Sequence, residues 1–442
     1  MSVANISSFH EVQPSQLCLF DLPGYQTAVE NVSYQKIRPI SSITADSPIE
    51  FNIAAQNDLT YMDLKRSTMF IKVRITRNNG SKIDSSNNVG SINLVLHSLF
   101  SKVDVFVQNR LISSSTGNYS YKAYIQTLLK YGISAKQSQF TSQLWYEDTP
   151  GAIDEYDTHS GQNLGLYQSS KFFDNGQSVD LQGNICHPLF SMDRYLLNLV
   201  AVDVKFYRNI PEFYLLTGDE LSDYKIEIQD MYLNICKVSV SNGLFVGHQN
   251  VLKSQITAKY PYVNTEVKLI SIPSGQITFS QNNIFPQARP SKVVVAFVSS
   301  KSAAGDFKLS PYYLKHYNLN QITLKVDGIP VPGSVSDINY ASVNGVLSIP
   351  AFYNLYDIVG KALNDEDNGI DRNDFAQGYA IYAFNIEPDF DNINYLSLTR
   401  RGTVSIEAHF SSPLEESVCC VIYSECNGLF ELDESRSVTI LE

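Results

Sequence analysis

The residues most suggestive of chemistry form an acidic loop, Asn-Asp-Glu-Asp-Asn-Gly-Ile-Asp, at positions 364–371. A calcium loop of the EF-hand type places oxygen ligands at alternate positions, with glycine sixth and a bidentate glutamate twelfth. If Gly369 is the sixth residue, the twelfth is Phe375, which offers no oxygen ligand. The pattern therefore favours a solvated loop, and no metal ion is predicted there.

Cysteine and histidine, the usual ligands of zinc, are scattered along the chain. The cysteines lack the paired C-x-x-C spacing of a zinc site, and Cys186 and His187 form an isolated pair. We therefore expect buried free thiols that have a structural role. The cysteines are at positions 18, 186, 236, 419, 420 and 426, and the histidines at 10, 97, 159, 187, 248, 316 and 409.

The motifs of nucleophilic catalysis and of nucleotide binding are absent from the sequence, which has no G-x-S-x-G, P-loop or G-x-G-x-x-G. Aromatic pairs at 172–173, 312–313 and 352–353 are compatible with a sugar or peptide groove, but such pairs belong more often to a core or an interface. The sequence thus nominates no catalytic, cofactor-binding or metal-binding residue, and it favours a protein that is not an enzyme.

Composition indicates a large β protein. The chain has 442 residues, of which 43% are hydrophobic, and it contains 27 tyrosines and 23 phenylalanines, residues that suit half-buried strands. The net charge is −12 and no basic run occurs, so direct binding of nucleic acid through its phosphates is not expected. The first 22 residues lack the pattern of a secretory signal, so we expect a protein that is not secreted.

An internal repeat is the strongest structural signal. In each half, an alternating strand, a two-residue turn, a second short strand and one aromatic-rich helix follow in the same order. In the first half these elements are strand 103–107, turn 108–109 and helix 119–131, and in the second half they are strand 322–326, turn 327–328 and helix 352–363. Each helix has one apolar stripe at helical spacing, which includes Tyr121, Tyr124 and Leu128 in the first helix. Further alternating strands match in the same order, namely 202–206 with 404–408 and 226–232 with 418–423. Repetition at this length predicts two similar β domains.

Many short strands separated by turns are typical of sandwiches and barrels. We therefore predict an all-β chain of two consecutive eight-stranded jelly rolls, a double jelly roll, with a few short helices. The predicted divisions are an N-terminal arm at 1–45, a first jelly roll at 46–245 and a second at 246–442. Residues 143–184 read as a long surface loop, and residues 241–258 read as the break between the two domains.

Several spaced blocks of sequence resemble the capsid proteins of Polinton/Maverick elements and related adinto-like viruses. The likeness covers residues 45–435. The blocks in the first half are 59–76, 96–107 and 119–132 with 142–144, and those in the second half are 258–261, 317–320 with 324–330, and 378–384.

This resemblance implies a major capsid protein of an icosahedral DNA virus or of a virus-like transposon. Three copies would form a pseudo-hexagonal homotrimer, since two jelly rolls in each chain yield six similar units, and the trimers would then pack into a capsid lattice. Vertex (penton) and minor capsid proteins are the implied partners. The implied location is the virion capsid after synthesis in the cytoplasm or nucleus of a host cell, whereas an internal membrane is neither implied nor excluded.

Two other functions remain open at this stage. One is a two-domain β-sandwich that binds carbohydrate in the manner of a lectin, with a glycan-processing enzyme ranked behind it. The other is a vertex protein of the same viruses, which usually carries one jelly roll. The predicted duplication favours the major capsid protein over the vertex protein.

Overall fold

The computed structural model describes residues 14–20, 22, 24–43, 47–55, 59–113, 117–340, 349–387 and 400–441. Within these residues, antiparallel sheets fall into two sets, one formed before residue 241 and the other after residue 257. Each set with its connections is called a roll below. The helix α6, which is Asn242–Lys253, links the first roll to the second.

The strands of the first roll are β1 (Val29–Ile37), β2 (Ile49–Ile53), β3 (Thr60–Arg77), β4 (Val89–Ser91), β5 (Phe100–Val107), β6 (Arg110–Leu111), β7 (Val179–Asn184), β8 (Val202–Arg208), β9 (Leu215–Thr217) and β10 (Tyr224–Val240). Its α-helices are α1 (Val95–Ser98), α2 (Tyr119–Lys130), α3 (Ile133–Gln137), α4 (Leu164–Ser170) and α5 (Pro211–Tyr214). Short 3₁₀ turns occur at Ser15–Leu17, Gln139–Gln143, Lys171–Gly176 and Pro188–Ser191.

The strands of the second roll are β11 (Ala258–Ile272), β12 (Thr278–Gln281), β13 (Lys292–Ser299), β14 (Leu319–Val326), β15 (Ile329–Pro330), β16 (Ile381–Asn385), β17 (Val404–Phe410), β18 (Val418–Leu432) and β19 (Val438–Leu441). Its α-helices are α7 (Ser300–Ala304), α8 (Ile349–Ile358) and α9 (Arg372–Ala376).

Both rolls have the same strand order. The first roll has sheets β1-β10-β3-β7 and β2-β8-β5-β6, and the second has β11-β18-β13-β16 and β12-β17-β14-β15. If these eight strands are counted along the chain within each roll, both rolls read 1-8-3-6 and 2-7-4-5. This is the double Greek-key order of a jelly roll. The predicted fold class, a double jelly roll, is therefore confirmed, and a chain with a single jelly roll is excluded.

The repeated hairpin matches between the rolls residue by residue. Val107 of β5 pairs with Val202 of β8, and Val326 of β14 pairs with Val404 of β17. The two turns also agree, because both central residues of each have positive φ, at positions 108–109 and 327–328. Positive φ at both positions defines the type I′ turn, whose twist matches that of two-residue hairpins.

Alternation of apolar and polar residues builds the core. Inward side chains of the long strands β3 and β10 are almost fully buried, while their neighbours along each strand are partly exposed. In the facing sheet, Phe206 has no exposed surface, and its ring contacts those of Phe51 and Phe100 at centroid distances of 5.8 and 5.0 Å. Burial of such faces supplies most of the favourable free energy of folding.

One interpretation made from the sequence is wrong. Residues 143–184 are not a plain surface loop, because they include α4 and the sheet strand β7. In β7, Val179 and Leu181 are buried between exposed polar residues, a short alternation that the Gly- and Asp-rich surroundings obscured. The break at 241–258 contains the helix α6, which Ser241 caps by accepting a hydrogen bond from the backbone N–H of Leu244.

The limits of one helix also differ from the expected ones. The helix expected at 352–363 is Ile349–Ile358, and Gly360 just beyond it adopts a φ of 76°. Strand β1 lies inside the segment expected to be an arm, where it pairs with β10 through most of its length. Residues 1–13 of that segment, which include His10, lie outside the described residues.

Phe206→Ala should lower the stability of the first roll substantially. Removal of a fully buried ring typically costs about 3–5 kcal/mol, and this ring packs against two others. Urea denaturation followed by tyrosine fluorescence should show a clearly lower midpoint. Leu221→Ala is the control, because the Leu221 side chain is 75% exposed, and it should leave the midpoint unchanged. Equal effects of the two substitutions would contradict the assigned core.

Candidate functional site: the seam between the two rolls

The two rolls meet along helix α2. The contacts between the rolls, made by this helix and by the loops next to it, are called the seam. Three polar side chains of α2 and its N-cap bind the β11-β18-β13-β16 sheet of the second roll. Asn118 Nδ2 donates to the carbonyl oxygen of Val267 at 3.0 Å, and Gln126 Nε2 donates to the hydroxyl of Tyr423 at 3.0 Å. The ammonium of Lys130 lies 3.4 Å from the carboxylate of Glu425.

A cluster of aromatic rings fills the centre of the seam. Tyr312 of the second roll stacks on Tyr124 of α2, with ring centroids 4.0 Å apart and planes within 1°. On the other side of Tyr124 lies the indole of Trp145, at 5.6 Å. Tyr121 meets Tyr312 edge to face, and all four side chains are buried. Aromatic stacking adds about 0.5–1.5 kcal/mol per pair to the effect of area burial, so this cluster holds the rolls together.

The acidic loop at 364–371 also belongs to the seam. The ammonium of Lys136 donates to the carbonyl oxygens of Leu128 in α2 and of Asn368 in the loop, at 3.1 and 2.5 Å. Lys361 donates in the same way to Lys130 of α2, at 3.1 Å, and to Asp367 of the loop, at 2.6 Å. The oxygen-rich loop that resembles a calcium site is thus bound by two lysine side chains.

Burial affects the protonation of these lysines. The pKa of Lys136 is lowered to about 8, because desolvation disfavours the ammonium form, although nearby Glu147 and Asp367 oppose that effect. The pKa of Lys361 is lowered for the same reason. The carboxylate of Asp367 also accepts a hydrogen bond from the backbone N–H of Ile133, at 2.8 Å, so the loop contacts the first roll through its side chain as well.

A buried carboxyl lies beside the aromatic cluster. Asp148 accepts a hydrogen bond from Asn163 Nδ2 at 2.8 Å, and its backbone carbonyl accepts one from the hydroxyl of Tyr379 at 2.9 Å. Burial raises the pKa of Asp148 to about 7. Nearby, the half-buried ion pair between Lys315 and Asp154, with 2.9 Å between nitrogen and oxygen, crosses between the rolls.

A second zone of contact joins the rolls on the side of the C-terminal hairpin β18–β19. Arg436 donates from Nε to the carbonyl oxygen of Asn198 at 3.0 Å and from Nη2 to its side-chain oxygen at 3.2 Å. The hydroxyl of Tyr262 donates to the carbonyl oxygen of Ile112 at 3.3 Å. With contacts in two separate zones, the seam prevents the rolls from hinging about a single point.

The aromatic pairs noted in the sequence are divided between core and surface. Tyr312 and Phe173 are fully buried, so they cannot line a groove. Their neighbours differ, because Tyr313 is half-buried and Phe172 is 42% exposed. In the third pair, the ring of Phe352 packs against that of Phe375, and Tyr353 is 52% exposed.

The histidines for which contacts are described bind neighbouring polar or aromatic groups. His97 is buried between the hydroxyl of Tyr119 and the side chain of Gln143, at 2.8 and 3.0 Å, and burial lowers its pKa to about 4. His187 is buried against the hydroxyl of Ser113 at 2.7 Å, and burial lowers its pKa as well. These side chains are therefore neutral at physiological pH.

The six cysteines are free thiols. The thiol of Cys186 lies 2.7 Å from the side-chain oxygen of Gln126, next to the seam. Among the residues described, no three His, Cys, Asp or Glu side chains are grouped closely enough to hold a metal ion. No helix in the same residues is both long and apolar enough to cross a bilayer.

Sequence reasoning missed the residues that form the seam. Helical periodicity correctly marked Tyr121, Tyr124 and Leu128 as one apolar stripe, but the period does not tell which domain that stripe contacts. Lys136 and Lys361 gave no signal. In a sequence, a lysine that binds the carbonyl oxygen of a residue far along the chain cannot be distinguished from a surface lysine.

Tyr312→Ala should loosen the seam without unfolding either sheet pair. The substitution removes a fully buried ring that contacts two tyrosines of α2, at a cost of about 3–5 kcal/mol. Hydrogen exchange measured by mass spectrometry should accelerate in α2 and in residues 364–371, while β5 and β8 remain as protected as in the wild type. Leu221→Ala, at a site 75% exposed, is the control and should change neither. Unchanged exchange in α2 would show that Tyr312 does not hold the seam.

Asp148→Asn should remove a pH dependence of stability. The unfolded chain releases this proton near pH 4, whereas the folded chain releases it near pH 7, so the folded state holds the proton more tightly in between. This contribution is present at low pH and is lost as the pH rises through 7. Between pH 5 and 8 the wild type should lose roughly 2 kcal/mol more than the variant.

Urea midpoints at the two pH values measure this difference. The exposed Asp365, changed to Asn, is the control and should behave as the wild type does. Parallel pH profiles for the wild type and Asp148→Asn would contradict a protonated, buried Asp148.

Comparison with known proteins supports the description of the fold. No protein-family model matches the chain. The uncharacterized protein F54H12.2 of Caenorhabditis elegans is 25% identical over 429 residues, which cover 94% of this chain and 98% of that protein.

Solved structures from viruses match over nearly the whole chain. A chain of the Sputnik virophage has a TM-score of 0.65 at 12% identity, and the match covers 98% of this chain and 93% of that one. The mavirus major capsid protein has a TM-score of 0.52 at 12% identity, with coverage of 100% and 97%. The Faustovirus major capsid protein has a TM-score of 0.55 at 10% identity, with coverage of 93% and 92%. This chain therefore has the fold of these viral proteins.

Proposed function

We propose that the chain is a structural, non-enzymatic major capsid protein that forms pseudo-hexagonal trimers of an icosahedral shell. The observation that carries the proposal is the seam, which holds two rolls of identical strand order in one fixed arrangement. Three such chains around a threefold axis would present six similar rolls. Closed rotational symmetry of this kind is the usual way in which identical subunits bury a repeated interface.

Likeness of fold supports the same proposal. The mavirus and Faustovirus proteins matched above are major capsid proteins, and the match extends over both rolls, not over one jelly roll alone. One fold can serve many unrelated functions. The fold therefore indicates a role only in combination with the seam. Together they favour self-association followed by lattice packing.

A division of the chain into an arm and two rolls fits this role. We propose that the first roll begins with β1 and ends before α6, and that the second runs from β11 to β19. The segment before β1 would then act as an arm that contacts neighbouring subunits or an inner layer of the shell. Among the described residues of this segment, the large apolar side chains are exposed in the single chain, and contact with a partner would cover them. They are Leu17, Leu19, Phe20, Leu22 and Tyr25.

Vertex and minor capsid proteins are the further partners we propose, with the virion capsid as the location after synthesis inside a host cell. The relative in Caenorhabditis elegans favours an element carried in animal genomes, as in the Polinton/Maverick group. The acidic net charge of −12 suits a protein that must stay soluble before it assembles, and it does not favour direct binding of nucleic acid.

The lectin alternative is less well supported by the side chains. A sugar-binding groove would require exposed, adjacent aromatic rings, but in two of the three aromatic pairs one ring is fully buried. In the third pair, the ring of Phe352 packs against that of Phe375, so Tyr353 has no exposed ring paired with it.

Size measurement tests the proposal most simply. Multi-angle light scattering of the purified full chain should give a mass of three chains, stable on dilution to the micromolar range. A glycan array probed with the same sample should show no binding. A monomer that binds glycans would contradict the proposal and support the lectin alternative.

A further inference from the structure

Within the chain, one face of α2 binds the outer face of a sheet. Asn118 and Gln126 lie two helical turns apart on that face, with Lys130 one turn further on. Their partners on the second roll are the strands β11 and β18, through Val267, Tyr423 and Glu425 as described above. The first roll thus contributes the helix, and the second roll contributes the sheet.

The second roll has a counterpart of this helix whose equivalent face is uncovered. When Phe352 of α8 is aligned with Tyr121 of α2, Tyr353 and Asp357 take the places of Lys122 and Gln126. In α2, Lys122 is buried and Gln126 binds Tyr423, whereas in α8 Tyr353 is 52% exposed and Asp357 is exposed. The buried residues of α8 face its own roll instead, and they are Ala351, Leu355 and Ile358.

The first roll has a counterpart of the sheet, and its outer face is also uncovered. In the order of strands, Tyr232 of β10 takes the place of Tyr423 of β18. The ring of Tyr232 stacks on Phe70 at 4.5 Å, and the ammonium of Lys36 lies 3.8 Å from its centroid. On the adjacent strand β1, Tyr34 is 55% and Val32 is 43% exposed. Aromatic and apolar groups on an open sheet face mark a surface suited to contact with protein.

Charge on the two uncovered faces is complementary. Asp357 on the helix is an anion, and Lys36 beside Tyr232 on the sheet is a cation. In the seam, the residue equivalent to Asp357 binds the hydroxyl of the tyrosine equivalent to Tyr232. If the same placement is repeated, Asp357 comes within reach of both the Tyr232 hydroxyl and the Lys36 ammonium.

From this we infer that α8 of one copy docks on the β1-β10-β3-β7 sheet of a second copy, with Tyr353 and Asp357 against Tyr232 and Lys36. The contact between copies then repeats the seam inside each copy, so that helix-on-sheet contacts alternate around a ring. This inference rests on the proposed trimer and specifies which faces form it. The partner that binds this sheet is therefore a second copy of this chain.

Charge reversal tests the contact. Asp357→Lys should weaken the trimer about tenfold or more in a dilution series followed by light scattering, because two cations then face each other. The double variant with Lys36→Asp should recover most of the lost affinity. Glu220→Lys makes the same charge change at an exposed carboxylate elsewhere on the first roll, and it should leave the trimer unchanged.

Carbodiimide cross-linking gives an independent readout, because it joins a carboxylate to an amine only when the two are in contact. The pair Lys130–Glu425, 3.4 Å apart within one chain, is the positive control. Mass spectrometry should find a Lys36–Asp357 link in the electrophoretic band of two joined chains. A wild-type trimer that lacks this link and tolerates Asp357→Lys would overturn the inference and leave the proposed function standing. A wild-type monomer would instead refute the proposed function.

Discussion

The burial of helix α2 against a sheet of the neighbouring roll is the constraint on which the rest of the structure depends. The strands of each jelly roll pair only within that roll, so the strand order alone would not fix one roll against the other. The stacked tyrosines at 124 and 312, the lysine-bound loop at 364–371 and the second zone around Arg436 remove that freedom. A chain whose two halves are alike in build and fixed in orientation can act as two subunits of a ring.

Much of this fold is predictable from the sequence, because the patterns that predict it lie within short segments of the chain. The strands around Val105 and Leu324 alternate with period two, the turns at 108–109 and 327–328 can take positive φ, and both helices show an apolar stripe. What was missed depends on contacts distant in sequence. Strand β7 is recognisable only when its pairing with β3 is known. Strand β1 is almost wholly exposed, so its residues show no sustained alternation of apolar and polar side chains. The seam itself is invisible, because the same stripe on α2 would suit either roll as a partner.

The acidic loop shows that a sequence resembling a metal site can have a structural role. Oxygen atoms crowded in a loop require a cation or several hydrogen-bond donors, and here two ammonium groups and one backbone N–H fulfil that need for Asp367 and Asn368. The twelfth position of the loop, Phe375, is buried among aromatic rings of the second roll. The contacts of Lys136 and Lys361 thus tie the loop to the first roll.

A three-dimensional reconstruction of the assembled protein by electron microscopy tests the central claim most directly. We predict a threefold particle with six lobes of similar size, in which the contact inside each chain and the contact between chains have the same helix-on-sheet geometry. Particles in which the two rolls of a chain take variable relative orientations, or rings in which the two kinds of contact differ in geometry, would contradict the account.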